Sequence, residues 1–271
     1  MNDRVRIEID ERGVADVRLV RGDKMNALDA PMFSALQAAI ETLGQTPRLR
    51  AVVLHGEGKA FCAGLDMASF ADMAGAQGSA PEDLRARTHG LANGPQQVAL
   101  GWRALAVPVI AAVQGAAFGG GLQIALGADI RLLARDARMS VMEIKWGIVP
   151  DMAGMVLARG LLRDDVLREL TYSGRIVAAD EAVAIGLATR VCDDALAEAR
   201  ALAAAIAQRN PDAVRAAKRL LNQAARSLDA SAAALLQAES DEQVALIGSR
   251  NQMEAVVANL QRREPRFEDL R

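Results

Sequence analysis

Three consecutive glycines, Gly119-Gly120-Gly121, constrain this 271-residue chain more than any other stretch. They follow an apolar run, Val107 to Val113, that reads as a buried strand, and they precede an apolar run of helical character, Leu122 to Leu126. A strand-to-helix turn with no Cβ atoms leaves backbone N–H groups unpaired and open to close approach. Such a turn can hold a negatively charged oxygen, helped by the helix dipole. A second stretch, AFCAGLD at 60–66, follows another apolar strand, Ala51 to His55. The two stretches share a frame: Ala60, Phe61, Gly64 and Leu65 recur as Ala117, Phe118, Gly121 and Leu122, each 57 residues later. Two similar turns that both offer N–H groups imply one oxyanion site with two walls. The glycines are not spaced as G-x-G-x-x-G, so a dinucleotide site is not indicated.

Val5, Ile7 and Ile9 alternate with charges and predict a half-buried strand, turned at Gly13 into a partner over Val14 to Val20. Asp29 is placed to cap a helix with Pro31 in its first turn and Phe33, Leu36, Ile40 and Leu43 on one face. Small and turn-forming residues from Ala74 to Pro81 predict a mobile loop. A helix is expected over roughly Glu82 to Leu105, interrupted at Gly90, Gly94 and Pro95. Short strands are expected at Asp129 to Ala134 and Met139 to Val141, a helix entered near Met152, and helices at Asp164 to Tyr172 and Asp180 to Ile185. From Asp194 onward every segment has helical period: Ala195 to Gln208, Pro211 to Arg226, Ser231 to Ile247 and Asn251 to Leu260, before a charged tail. The chain thus divides into an α/β core of stacked strand-turn-helix repeats over 1–194, which carries the oxyanion site, and a helical region over 195–271. Arg215, Lys218 and Arg219 have helical spacing and are expected on a solvated face.

Hydrophobic residues make up 51% of the chain, enough for one large core. The formal net charge is −2 and aromatics are 3%, which argues against nucleic acid or an anionic membrane as partner. Cys62 and Cys192 are too few and too far apart for a disulfide framework, so a reducing, cytoplasmic setting is expected. The N-terminal MNDRVRIEID lacks the apolar run of a signal peptide, and no stretch is long and apolar enough for a transmembrane helix. His55 and His89 are isolated histidines, so neither a metal site nor a catalytic triad is expected. Cys62 has no partner histidine nearby and reads as a small buried residue rather than a nucleophile.

Two carboxylates follow the triple glycine. Glu143 ends the short strand around Val141, and Asp151 follows Pro150 at a helix start. If both face the oxyanion site, they flank one substrate. Two carboxyls in one apolar pocket resist double ionisation and share a proton, so one can remove a proton while the other supplies one. The oxyanion site stabilises the enolate between these steps, by roughly several kcal/mol. The substrate class is an acyl compound whose carbonyl oxygen gains charge, such as a thioester. A helix-cap role for Asp151 is the alternative reading.

These residues resemble the crotonase superfamily, the enoyl-CoA hydratases and isomerases. The resemblance spans almost the whole chain: KMNALD at 24–29, AFCAGLD, VIAAVQGAAFGGGLQIALGADI, EIKWGIVPDMAG and REPRF at 263–267. It implies a spiral of ββα repeats, a helical C-terminal region that forms trimers or pairs of trimers, and a CoA thioester as substrate, with no cofactor beyond that CoA. It further implies that the thioester carbonyl meets the N–H groups of Leu65 and Gly120, and that CoA lies along backbone near Met25, Ala27, Ala63 and Asp66. Arg263 and Phe267 would touch CoA on a neighbouring subunit, Trp146 would pack or wall the acyl pocket, and Gln123 would line it. The departures carry information. Hydratases of this family have glutamate at the position of Gln123 and usually glycine at that of Asp151. Glu143 with Asp151 resembles the dienoyl-CoA isomerase branch, although that branch has aspartate where Gln123 stands. The implied activity is therefore double-bond isomerisation by proton shuttle. Hydration of a 2-enoyl-CoA through Glu143, a non-catalytic CoA-thioester binder and a thioester hydrolase remain as alternatives.

Overall fold

Alternating apolar residues set the first hairpin. Strand β1, Val5–Ile9, pairs antiparallel with β2, Val14–Leu19, with Val5 opposite Leu19. Gly13 makes the turn at φ +80, where a Cβ would stand 2.3 Å from Arg48 O. A computed structural model describes residues 4–66, 83–226 and 232–266. The expected loop from Ala74 to Pro81 lies outside these, as does Phe267.

Helix α1, Ala30–Gln45, starts where the sequence places it: Asp29 accepts from Met32 N at 2.8 Å, with Pro31 in the first turn. Its buried face includes Leu36, Ile40 and Leu43, while Phe33 is half-buried. Strand β3, Ala51–Gly56, is followed by helix α2, Gly94–Ala104, and strand β4, Val109–Val113. Strand β5, Ala116–Phe118, runs into helix α3, Gly120–Gly127, and then β6, Ile130–Ala134, and β7, Arg138–Ser140. A 3-10 turn, Glu143–Trp146, leads to α4, Gly154–Ala158, and α5, Asp164–Ser173. Strand β8, Val177–Ala178, α6, Ala179–Ala184, and β9, Arg190–Cys192, complete the alternating part. Four helices follow: α7, Ala195–Ala207; α8, Pro211–Arg226; α9, Ala232–Leu246; and α10, Arg250–Gln261.

The strands form one six-stranded sheet in the order β1-β2-β3-β4-β6-β9 and one of three strands, β5-β7-β8. From β2 to β9 the larger sheet is parallel. Its central strands β3 and β4 are buried along their whole length, as a parallel sheet covered on both faces requires. The main apolar core, including Leu36, Val98, Trp102 and Leu122, covers one face. Ala195, Ala199 and Ala203 of α7 pack on the other, against Val53, Ile110 and Leu132. The first helix of the C-terminal region is thus packed on the core sheet. This is the α/β spiral of strand-helix repeats followed by helices that the resemblance implies.

The 57-residue echo has a direct structural counterpart. Val52 pairs with Val109 and Val53 with Ile110, at that same step. By the end of the following loops the register has closed by two residues, so that Cys62 bridges Ala117.

Three expectations are corrected. The helix expected from Glu82 begins only at Gly94, because Asn93 accepts from Gln96 N while Gln96 Oε1 accepts from Asn93 N, and Pro95 fits only a first turn. Asp151 is not a helix cap: α4 begins at Gly154, with Ala153 at φ +68 before it. Lys218 does not sit on a solvated face. It is 6% exposed, and its Nζ donates to Val107 O and Asp129 Oδ2, each at 2.7 Å, and to Trp102 O at 3.4 Å. No helix among the described residues is long and apolar enough to cross a membrane.

Candidate active site

The spiral stacks the two glycine turns on each other. Cys62 N donates to Ala116 O at 3.0 Å, and Phe118 N donates to Cys62 O at 3.1 Å. A Cβ on Gly121 would lie 2.2 Å from Cys62 O, and one on Gly64, at φ +89, would lie 2.7 Å from Phe118 O. Only glycine allows this approach. On the outer side, Leu28 N donates to Gly64 O at 2.8 Å and Asp66 N to Leu28 O at 3.0 Å, which fixes the 63–66 segment between residue 28 and the triple glycine. The same hypothetical Cβ on Gly64 would stand 3.7 Å from Gly120 N, so the backbone leading into Leu65 adjoins that amide. Among the described residues, neither Leu65 N–H nor Gly120 N–H is given to a protein acceptor. Gly120 is also the first residue of α3, where intrahelical partners are lacking.

Glu143 stands beside this turn. A Cβ on Gly119 would be 3.3 Å from Glu143 Oε1. The carboxyl is 6% exposed, and burial pushes its pKa up to about 7. Gln123 fixes its direction. Gln123 Oε1 accepts from Met152 N at 2.9 Å and from Gly154 N at 2.8 Å, so its Nε2 must face Glu143 Oε1, to which it donates at 2.6 Å. Glu143 Oε2 is buried and makes no hydrogen bond among the described residues. One oxygen is therefore anchored and the other is free.

Asp151 keeps part of its surface open yet sits deep among protein atoms. Burial raises its pKa to about 7, and the nearby Glu143 charge adds to the rise. A Gln243 side-chain hydrogen bond opposes the shift. Gln243 Oε1 accepts from Val149 N at 3.2 Å. Gln123 and Gln243 thus both hold the 149–154 segment by their amide carbonyls, Gln123 at Met152 N and Gly154 N and Gln243 at Val149 N.

Residues that the sequence reading missed complete the site. Gln243 and Glu239, both buried, reach it from α9, and Gln96 reaches it from α2. Glu239 Oε2 accepts from Ala153 N at 3.0 Å and from Gln96 Nε2 at 3.3 Å. Burial, with Asp151 nearby, raises its pKa to about 8. Its one sequence signal was the four-residue spacing of Glu239 and Gln243, which puts them on one helix face. A partly open pocket adjoins Glu143, lined by Gln123 and Glu143 and by apolar residues including Leu122, Leu126, Met155 and Leu162.

The other expected site residues fall in three places. Met25, Ala27, Ala63 and Asp66 lie together along the 25–28 and 63–66 segments. Ala63 N donates to Met25 O at 2.9 Å, and Arg21 Nη1 donates to both Ala27 O, at 3.0 Å, and the Asp66 carboxylate. Trp146 is not among the pocket's lining residues; Lys145 Nζ sits 5.5 Å from its ring centroid. Arg263 Nη1 and Nη2 bond the Glu254 carboxylate on α10, at 2.5 and 2.9 Å. Cys62 is fully buried and its thiol pKa is pushed up to about 12, as suits a packing residue. His55 Nε2 pairs with Asp16 at 2.7 Å. No group of three or more His, Cys, Asp or Glu among the described residues could hold a metal ion.

Known proteins share both sequence and architecture with this chain. The profile of the family described as enoyl-CoA hydratase/isomerase matches residues 10–270. A putative enoyl-CoA hydratase/isomerase, YngF, of Bacillus subtilis is 35% identical over 82% of this chain and 83% of its own. The mitochondrial methylglutaconyl-CoA hydratase of Mus musculus is 30% identical over 96% of this chain and 81% of its own. The crystal structure of an enoyl-CoA hydratase/isomerase from Mycobacterium paratuberculosis superposes with a TM-score of 0.83 at 27% identity, covering 94% of this chain and 98% of that one. One from Pseudoalteromonas atlantica T6c gives 0.83 at 26% identity, covering 98% and 100%. With its sequence matched over residues 10–270 and its fold shared, this chain belongs to the enoyl-CoA hydratase/isomerase family of the crotonase superfamily.

Proposed function

We propose that the site binds an acyl-CoA thioester by its carbonyl oxygen, between Leu65 N–H and Gly120 N–H, and shifts a double bond along the acyl chain. Glu143 and Asp151 move the protons. Both amides are preorganised by the stacked turns, so enolate charge meets dipoles already in place. Glu143 uses Oε2, the oxygen that Gln123 leaves free. The observation that carries this reading is the buried Glu143 carboxyl beside the Gly119 turn, one oxygen bonded to Gln123 and Oε2 without a partner among the described residues; burial raises the pKa of both acids to about 7, where a shuttle can hold one protonated and one ionised. Gln123 stays out of the proton chemistry, because its carbonyl is held by two backbone N–H groups and its NH2 can only donate.

CoA then lies along the 25–28 and 63–66 segments, where Arg21 is the nearest cation to Ala27 and Asp66. The assembly is a trimer or pair of trimers, with Arg263 and Phe267 reaching a neighbour's CoA. A second reading, hydration of a 2-enoyl-CoA with Glu143 acting through water, is supported by the hydratase names of relatives such as the mouse protein. Ultraviolet absorbance with crotonyl-CoA and with a 3,5-dienoyl-CoA separates the two. Turnover of the diene alone supports isomerisation, and loss of the enoyl band supports hydration. Release of free thiol would point instead to thioester hydrolysis, and binding with no turnover would leave a CoA-thioester binder.

A further inference from the structure

The third acid, Glu239, has no part in the proton movements assigned to Glu143 and Asp151, and its carboxyl is 5% exposed. It comes from α9, far along the chain from the 143–154 segment, yet Oε2 takes the Ala153 amide, two residues from Asp151. Ala153 holds a left-handed φ of +68, unusual for a residue with a Cβ, and the bond to Glu239 helps keep it there. Oε1 of Glu239 is buried and has no hydrogen-bond partner among the described residues. We infer that Glu239 is a positioning residue coupled to Asp151: its carboxyl shapes the Asp151 segment through Ala153 N–H, and the Asp151 charge acts in turn on the buried Glu239 carboxyl.

The surroundings favour such coupling. Gln96 Nε2 is the only side-chain donor to the Glu239 carboxyl among the described residues. The nearest cation in that network, Arg87, is one step removed: its Nη1 donates to Gln96 Oε1 at 2.8 Å and its Nη2 to Ser240 Oγ at 2.9 Å. Among the acids, Asp151 acts on Glu239, and Glu143 acts on Asp151. Without a direct cation, two neighbouring carboxyls relieve their repulsion by retaining a proton. Burial first, and then the Asp151 charge, raise the Glu239 pKa to about 8, whereas the rise at Asp151, to about 7, comes from burial and from Glu143. A consequence for turnover rests on the proposed role of Asp151; the coupling itself needs no substrate.

The test is carboxyl-carbon NMR titration of the full chain labelled at Asp and Glu side-chain carbonyls, with Asp151 assigned by its loss in Asp151→Asn. Glu239→Gln retains an acceptor for Ala153 N–H but removes the charge. The Asp151 midpoint should change little in that variant, because Glu239 is still protonated where Asp151 ionises. Asp151→Asn should lower the Glu239 midpoint by about one pH unit, as for loss of a nearby like charge that is already ionised when Glu239 titrates. A purely structural Glu239 would keep its own midpoint in Asp151→Asn, and an unchanged Glu239 midpoint in that folded variant overturns the inference. If Glu239→Gln does not fold, the Asp151→Asn titration decides alone. Coupled titrations in a protein that turns over no thioester would sink the catalytic reading and leave this one standing; turnover with uncoupled titrations would do the reverse.

Discussion

Replacing Glu143 with glutamine should make the protein's stability less dependent on pH, by an amount the structure fixes. In the unfolded chain this carboxyl titrates near 4.5, and in the fold near 7. The native state therefore holds the proton more tightly. Stability from this group is greatest below the unfolded value, falls as pH rises between the two, and is level above the folded value. The difference of about 2.5 units corresponds to roughly 3 kcal/mol lost between acid and neutral pH. Glutamine keeps a carbonyl for Gln123 Nε2, but puts an NH2 where Glu143 Oε2 has no partner, at a cost of about 1–3 kcal/mol that does not depend on pH. Removing the Glu143 charge also lowers the Asp151 pKa toward its unfolded value, which flattens the profile further. Urea unfolding of wild type and Glu143→Gln at about pH 5 and about pH 8 measures this. The variant should be weaker than wild type at the lower pH and equal or stronger at the higher, with a relative change of roughly 3 kcal/mol. Parallel pH dependence in the two proteins would show that Glu143 does not titrate with a raised pKa in the fold, and the acid pair would lose its physical basis.

Three further substitutions probe separate parts of the account. Gly64→Ala puts a Cβ 2.7 Å from Phe118 O at a φ of +89; turnover should fall by about a hundredfold or more as the turn carrying Leu65 N–H is displaced, read by steady-state kinetics beside thermal unfolding. Gln123→Glu replaces the amide that donates to Glu143 at 2.6 Å with a second carboxylate, so the two must share a proton; carboxyl NMR should show the pair's upper titration step above 7. Lys218→Met leaves Asp129 Oδ2 and Val107 O without their buried ammonium and should cost about 3 kcal/mol in urea unfolding, whereas a solvated lysine would change it by less than about 0.5 kcal/mol.

The parts of the site that depend on what glycine permits were legible in the sequence. Gly64 and Gly121 each lie against a backbone oxygen that any Cβ would strike, so the echo of the two stretches pointed to two turns in contact. The echo also matched the β3–β4 register, because stacked repeats of one length place equivalent residues opposite each other. Glu143 was legible from its motif, whereas the setting of Asp151 was not: Gln123 Oε1 takes Met152 N and Gly154 N, so the segment stays irregular and α4 begins three residues after Asp151. Glu239, Gln243 and Lys218 were hidden for a common reason. Each meets partners dozens of residues or more away, Ala153, Val149 and Val107 respectively, and on an isolated helix a charged or polar residue looks solvated until such a partner is known. The helix expected over 82–93 had suitable composition, but the Asn93 cap and Pro95 set the start at Gly94.

Hydrogen–deuterium exchange into the acyl chain tests the proposed proton shuttle most directly. Wild type incubated in D2O with a 3,5-dienoyl-CoA should place solvent deuterium on the acyl carbons, seen as a mass increase of the thioester. Asp151→Asn should abolish that increase while still binding CoA, because the amides of Leu65 and Gly120 and the 25–28 segment are left intact. Deuterium entering at the wild-type rate in Asp151→Asn, or none entering in wild type with any enoyl-CoA or dienoyl-CoA, would contradict proton transfer by these two acids.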